Sequence, residues 1–180
     1  MIVVTGACRT GTSLMMQTLL KLGLTTPAKP FSPGNHPEGN PHGYYELSKQ
    51  QLKDINDSDY YNKTVKLDGI TLNLLLPELI EHLIVCKRDK QTAITSAKKW
   101  MEYQNKNLIA TAEEIYDLQY QFINNFTNDF KIPYLTIYYE NMIEYPVETI
   151  IKIAKYLDLE PTTEQLDAAF SNVLIKDTIL

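Results

Sequence analysis

Ile2-Val3-Val4-Thr5-Gly6-Ala7-Cys8-Arg9-Thr10-Gly11-Thr12-Ser13-Leu14-Met15-Met16 decides the fold. A short apolar run reads as a buried strand, a glycine-bounded loop follows, and Met15, Leu19 and Leu22 then recur at helical spacing until Gly23 stops the helix. Strand, Gly-x4-Gly-Thr-Ser and helix together describe an anion cradle. Successive backbone N–H groups turn inward, glycine permits close approach, and the helix N-terminus adds partial positive charge. The nucleotide-hydrolase version of this loop carries lysine after the second glycine. Here that residue is Thr12, and the positive charge sits inside the loop at Arg9. Kinases and hydrolases use the missing lysine on β- and γ-phosphates, so the loop suits a donor without a γ-phosphate.

Arginine is used only at positions 9 and 88, against fifteen lysines. Arg88 ends a second apolar run, His82-Leu83-Ile84-Val85-Cys86-Lys87. The planar, bidentate, always-charged side chain is thus reserved for two strand ends, which is what oxyanion recognition requires. The net charge of −5 excludes a broad nucleic-acid or anionic-membrane surface and makes any anion site local. Hydrophobic and charged contents of 44% and 22% are those of a globular protein. Cys8 and Cys86 form neither a disulfide framework nor a zinc motif, and no apolar stretch approaches the ~20 residues of a membrane span. A reduced, cytoplasmic protein is expected.

Outward from the loop the chain alternates. Strands are expected at 2–5, 64–67, 82–87 and 134–139, and helices at 12–22, 46–55, 71–80, 90–103, after the capping box Thr111-Ala112-Glu113-Glu114, and at 162–170. The helix after Thr111 is read with Ile115, Leu118, Phe122 and Phe126 inward, and a further helix with Val147, Ile150, Ile151, Ala154 and Leu157 inward. Residues 25–43 hold five of nine prolines and three of seven glycines, and read as a long loop or lid. Residues 1–180 are expected to form one three-layer α/β domain around a mainly parallel sheet.

The motifs resemble the sulfotransferase family, which moves a sulfuryl group from 3′-phosphoadenosine 5′-phosphosulfate (PAPS) to a hydroxyl or amine and releases the bisphosphate PAP. The family's Pro-Arg/Lys-Ser-Gly-Thr-Ser/Thr is similar to Cys8-Arg9-Thr10-Gly11-Thr12-Ser13, with Cys8 in the proline position. Its strand-end Arg-Asp/Asn-Pro with a serine eight residues beyond the arginine resembles Arg88-Asp89-Lys90 and Ser96, with Lys90 for proline. Tyr139-Glu140-Asn141-Met142 and Asn40-Pro41-His42-Gly43-Tyr44-Tyr45-Glu46 resemble two further family segments, the second from bacterial members. In family order these span residues 3 to about 157.

The resemblance implies a P-loop NTPase-like fold and a metal-independent enzyme. Arg9, Thr10, Gly11, Thr12 and Ser13 would hold the 5′-phosphosulfate, and Arg88 with Ser96 the 3′-phosphate. Arg9 and Lys66 would face the transferring group. For the acceptor's proton, Glu46 ranks first, Asp68 (where cytosolic members keep a histidine) second and His42 third, with His36 also in the loop. Lys176 is a weak substitute for the family's C-terminal basic contact. The paired tyrosines at 44/45 and 60/61 read first as core or rim packing and second as lining for an acceptor pocket. Sugar, lipid, peptide and small-molecule acceptors all stay open. Two rivals also stay open: a small-molecule or nucleoside kinase, with Asp89 as its magnesium ligand, and a catalytically degenerate nucleotide-binding module.

Overall fold

The computed structural model describes residues 1–31, 40, 42–103 and 111–177. Four strands, β1 (Ile2–Gly6), β2 (Thr64–Asp68), β3 (His82–Lys87) and β4 (Tyr134–Tyr138), form one all-parallel sheet in the order β2-β1-β3-β4. Its helices are α1 (Thr12–Lys21), α2 (Lys49–Lys53), α3 (Lys90–Tyr103), α4 (Ala112–Asp129), α5 (Tyr139–Glu144), α6 (Pro146–Tyr156) and α7 (Thr163–Asp177). Period-2 alternation splits the strand residues between two cores. Val4, Ile84, Cys86 and Ile137 pack under α1, α5, α6 and α7, whereas Val3, Val65, Leu67, Leu83 and Val85 pack under α4. These are the three layers that the alternating pattern implies. Among the described residues no helix is long and apolar enough to cross a membrane.

Several elements differ from the pattern. The helix expected at 71–80 is two short 3₁₀ turns, Thr71–Leu74 and Pro77–Leu79. Asp68 Oδ1 accepts the Ile70 and Thr71 N–H groups, and Pro77 has no N–H to extend a helix. Asn56 clamps the gap, donating to Leu74 O and accepting from Leu76 N. The helix expected at 46–55 is only the five-residue α2, because Ser48 and Gln51 form a capping box that starts it late. The box at Thr111 and Glu114 does open α4, but the inward stripe is Ala112, Gln119, Ile123 and Phe126, with Leu118 43% exposed. On α6, Thr149, Ile150, Ile153 and Ala154 face inward, while Val147 and Ile151 face solvent. The last helix runs on past 170, and β4 stops at Tyr138 because Tyr139 opens α5.

Candidate active site

Register sets the site. Gly6 at the end of β1 lies beside Asp68 on β2 and Cys86 on β3, so the three following turns share one edge of the sheet. That is where open parallel sheets bind ligands. The first turn is tight: Thr10 donates to Ala7 O from its backbone N–H (3.4 Å) and its hydroxyl (2.7 Å). Arg9 (φ 68°) and Gly11 (φ 93°) are left-handed, and this alternation curls the backbone N–H groups into a concave nest. The first-turn N–H groups of α1 have no intrahelical partner and face the same hollow. Glycine is required twice. A Cβ on Gly6 would stand 2.6 Å from Cys86 O, and one on Gly11 would stand 2.8 Å from the Tyr139 ring.

Both arginines border a single cavity of about 420 Å³ beside this loop. Arg88 Nη1 donates to Arg9 O at 3.4 Å, and its guanidinium lies 4.3 Å from the Tyr139 ring centroid, a cation–π seat. Its Nε is sealed from solvent and meets no acceptor among the described residues. An orphaned guanidinium donor beside a nest of N–H groups is the donor set that a phosphorylated nucleotide needs. Arg9 Nε donates to Ser96 Oγ at 3.0 Å, which joins the loop to α3. Thr10 is turned into the loop's own hydrogen bonds and does not border the cavity; Gly11, Thr12 and Ser13 do.

Lys66 is the buried cation of the site, its side chain 9% exposed. It donates to Ser13 Oγ at 3.2 Å and pairs with Glu46 at 3.5 Å. Burial pushes its ammonium below the ordinary lysine range, and the Glu46 carboxylate opposes that shift. Glu46 itself is half-exposed at the cavity rim. Its position comes from α1: Gln17 Nε2 donates to Gly43 O (2.8 Å) and Asn40 Oδ1 (3.3 Å), pinning the segment before Tyr44 and Glu46. Asp68 borders the cavity too, but its Oδ1 is taken up by the turn that it caps. His42 also lines the cavity. His36 and the Lys176 side chain lie outside the described residues.

Other motif residues work structurally. Asp89 Oδ1 caps α3 through Thr92 N–H, and these bonds hold its carboxyl below the usual range. Glu140 accepts the Asp89 N–H at 3.0 Å. Lys90, in the proline position, pairs with Glu113 (3.1 Å) and Asp117 (2.8 Å) and ties α3 to α4. Cys8 borders the cavity with its thiol pushed up by burial, and burial takes Cys86 to about 12. Among the described residues no group of three His, Cys, Asp or Glu side chains is placed to hold a metal ion.

The sequence reading missed the contribution of α4. Tyr116 OH donates to Arg88 O (3.0 Å), Tyr120 OH to Cys86 O (2.7 Å), and Gln119 Oε1 accepts from Cys8 N (2.8 Å). One helix therefore braces both arginine-bearing turns. The signal was a polar triplet at i, i+3 and i+4 on a capped helix, legible only once the inward phase is known.

No family model and no curated protein sequence matches the chain. Its fold matches solved structures. Sulfotransferase STF9 from Mycobacterium avium superposes with TM-score 0.62 at 13% identity, over 94% of this chain and 66% of that one. The sulfotransferase domain of the Synechococcus PCC 7002 olefin synthase gives TM-score 0.62 at 16% identity, over 96% and 79%. Retinol dehydratase, in complex with androsterone and the inactive cofactor PAP, gives 0.58 at 13%, over 97% and 64%. The fold is therefore that of the sulfotransferases, a P-loop-like α/β sandwich. The chain spans just under two thirds of the length of STF9 and of retinol dehydratase.

Proposed function

We propose that this chain transfers a sulfuryl group from PAPS to a hydroxyl or amine acceptor and releases PAP. The observation that carries the reading is the convergence of its only two arginines, one in the anion loop and one stacked on Tyr139 with an orphaned donor, on a single cavity in this fold. The likeness to a structure holding PAP supports the same donor. Thr12 in place of the Walker lysine, and the commitment of Asp89 to capping α3, weigh against the kinase.

Gly11, Thr12 and Ser13 would receive the 5′-phosphosulfate on backbone N–H groups and hydroxyls, with Arg9 beside them. Arg88 would hold the 3′-phosphate, and Ser96, bonded to Arg9, would orient that guanidinium. PAPS supplies a sulfuryl group whose S–O bond to the 5′-phosphate breaks as a bond to the acceptor oxygen or nitrogen forms. Glu46 takes the acceptor's proton, since it stands half-exposed at the cavity rim beside Lys66, whereas Asp68 Oδ1 caps a turn. Lys66 and Arg9 offset the charge that spreads over the transferring oxygens. Small-molecule alcohols are the acceptor class that the androsterone complex of retinol dehydratase favours.

Thermal stabilisation by PAP, compared with ATP, AMP and adenosine 5′-phosphosulfate, tests the assignment. PAP should stabilise most, and Arg88→Ala should lower PAP affinity about 10- to 100-fold while leaving AMP unaffected. Indifference to the 3′-phosphate refutes the donor. PAP binding with no sulfated product across an acceptor panel would point to the degenerate module instead.

A further inference from the structure

Gln119 occupies a place where a helix facing a sheet ordinarily carries an apolar residue. It is 6% exposed, on the inward stripe of α4. A primary amide has one acceptor end and one donor end. The 2.8 Å bond from Cys8 N–H fixes the acceptor end, Oε1, against the anion loop. The Nε2 end therefore faces away from Cys8. It meets no acceptor among the described residues, and it is not among the side-chain atoms sealed from solvent. The opening available to it is the cavity, which Gln119 borders together with Cys8, Lys66 and Asp68. The turn after β2 packs closely on the α4 backbone at this position, because any Cβ at Gly69 would collide with the Gln119 main-chain carbonyl.

The choice of side chain follows from these two demands. Lysine could not accept from Cys8 N–H, glutamate could not donate to an anion and would repel it, and leucine could do neither. Glutamine holds the loop with one end and presents N–H donors to the loop's ligand with the other. We propose that Gln119 is a further anion-binding residue of this site. Its Nε2 donates to a non-bridging oxygen of the tetrahedral oxyanion, sulfuryl or phosphoryl, that the loop after β1 holds. In its sulfuryl form the inference rests on the sulfotransferase reading; the oxyanion itself does not.

Gln119→Glu separates the two ends of the amide. It keeps an acceptor for Cys8 N–H but replaces the donor with a negative charge, and acid restores an O–H donor in its place. Inorganic sulfate and PAP are titrated by thermal shift between about pH 5 and pH 8.5 on wild type, Gln119→Glu and Gln119→Met. Wild type is the control for the other ionisable groups that line the cavity, Cys8, His42, Glu46, Lys66 and Asp68 among them. At pH 8.5 Gln119→Glu should lose at least about tenfold in sulfate affinity, and the loss should shrink as pH falls toward 5, because burial favours the neutral carboxyl. Gln119→Met, which cannot ionise, should stay weak throughout, and it serves as the reference at low pH if the glutamate variant unfolds at high pH. Wild-type sulfate affinity in Gln119→Glu at pH 8.5, or parallel losses in both variants at every pH, overturns the proposal. A wild type that binds sulfate but does not prefer PAP over AMP sinks the donor assignment and leaves Gln119 in the anion site. A wild type stabilised by neither ligand overturns both.

Discussion

The two ends of the cavity are built differently. At the proposed donor end, the loop after β1 closes on itself through Thr10, is braced from α4 by Gln119 and joins α3 through Arg9 and Ser96. At the proposed acceptor end, Glu46 stands on an irregular segment held from α1 by Gln17, and Asp68 opens a pair of 3₁₀ turns. Regular elements over-determine the first; a few side-chain bonds fix the second. Chemistry shared by a whole fold concentrates where strands and helices meet, and selectivity where loops meet.

Four measurements bear on this contrast. Glu46→Gln should have the largest effect, lowering kcat for sulfuryl transfer about 10²- to 10⁴-fold with PAP affinity within about threefold of wild type; unchanged kcat would remove Glu46 as the base. Gly11→Ala attacks the donor end. With φ at 93° and the Tyr139 ring in the way, it should cost about 1–3 kcal/mol by denaturant unfolding and weaken PAP binding, because Tyr139 also seats Arg88.

The pH dependence of kcat/KM tests Lys66. Its ammonium is lowered by burial, so the free enzyme loses this charge as pH rises through a value below the ordinary lysine pKa of about 10.4. Activity should therefore fall on that alkaline limb, and Lys66→Arg should move the limb upward; an unmoved limb would assign it to another group. The smallest effect is expected at Asp68. Asp68→Asn keeps an oxygen for the Ile70 and Thr71 N–H groups and should leave kcat within about threefold, whereas Asp68→Ala should cost about 1 kcal/mol in stability. A loss of kcat in Asp68→Asn larger than in Glu46→Gln would exchange their roles.

β1 and β3 were legible as short apolar runs, β2 and β4 as short stretches of alternating apolar residues, and α1 because Gly11 and Gly23 mark its ends. The two arginines were legible through their scarcity. What the sequence hid was long-range. Leu118 was read as core, yet it is exposed, and its neighbour Gln119 is buried with Oε1 accepting from a backbone donor 111 residues away at Cys8. Residues 71–80 read as one helix, but Asp68, Asn56 and Pro77 divide it into turns. Ser96 stood out only by its spacing, and its bond to Arg9 needed the fold.

Ile2 of β1 pairs with Thr64 on one side and His82 on the other, so the central strand is completed only by distant chain. Loop-closure entropy makes such an arrangement slow to assemble and all-or-none. Amide protons of Val65, Ile84 and Ile137, on three different strands, should therefore exchange together through opening of the whole sheet.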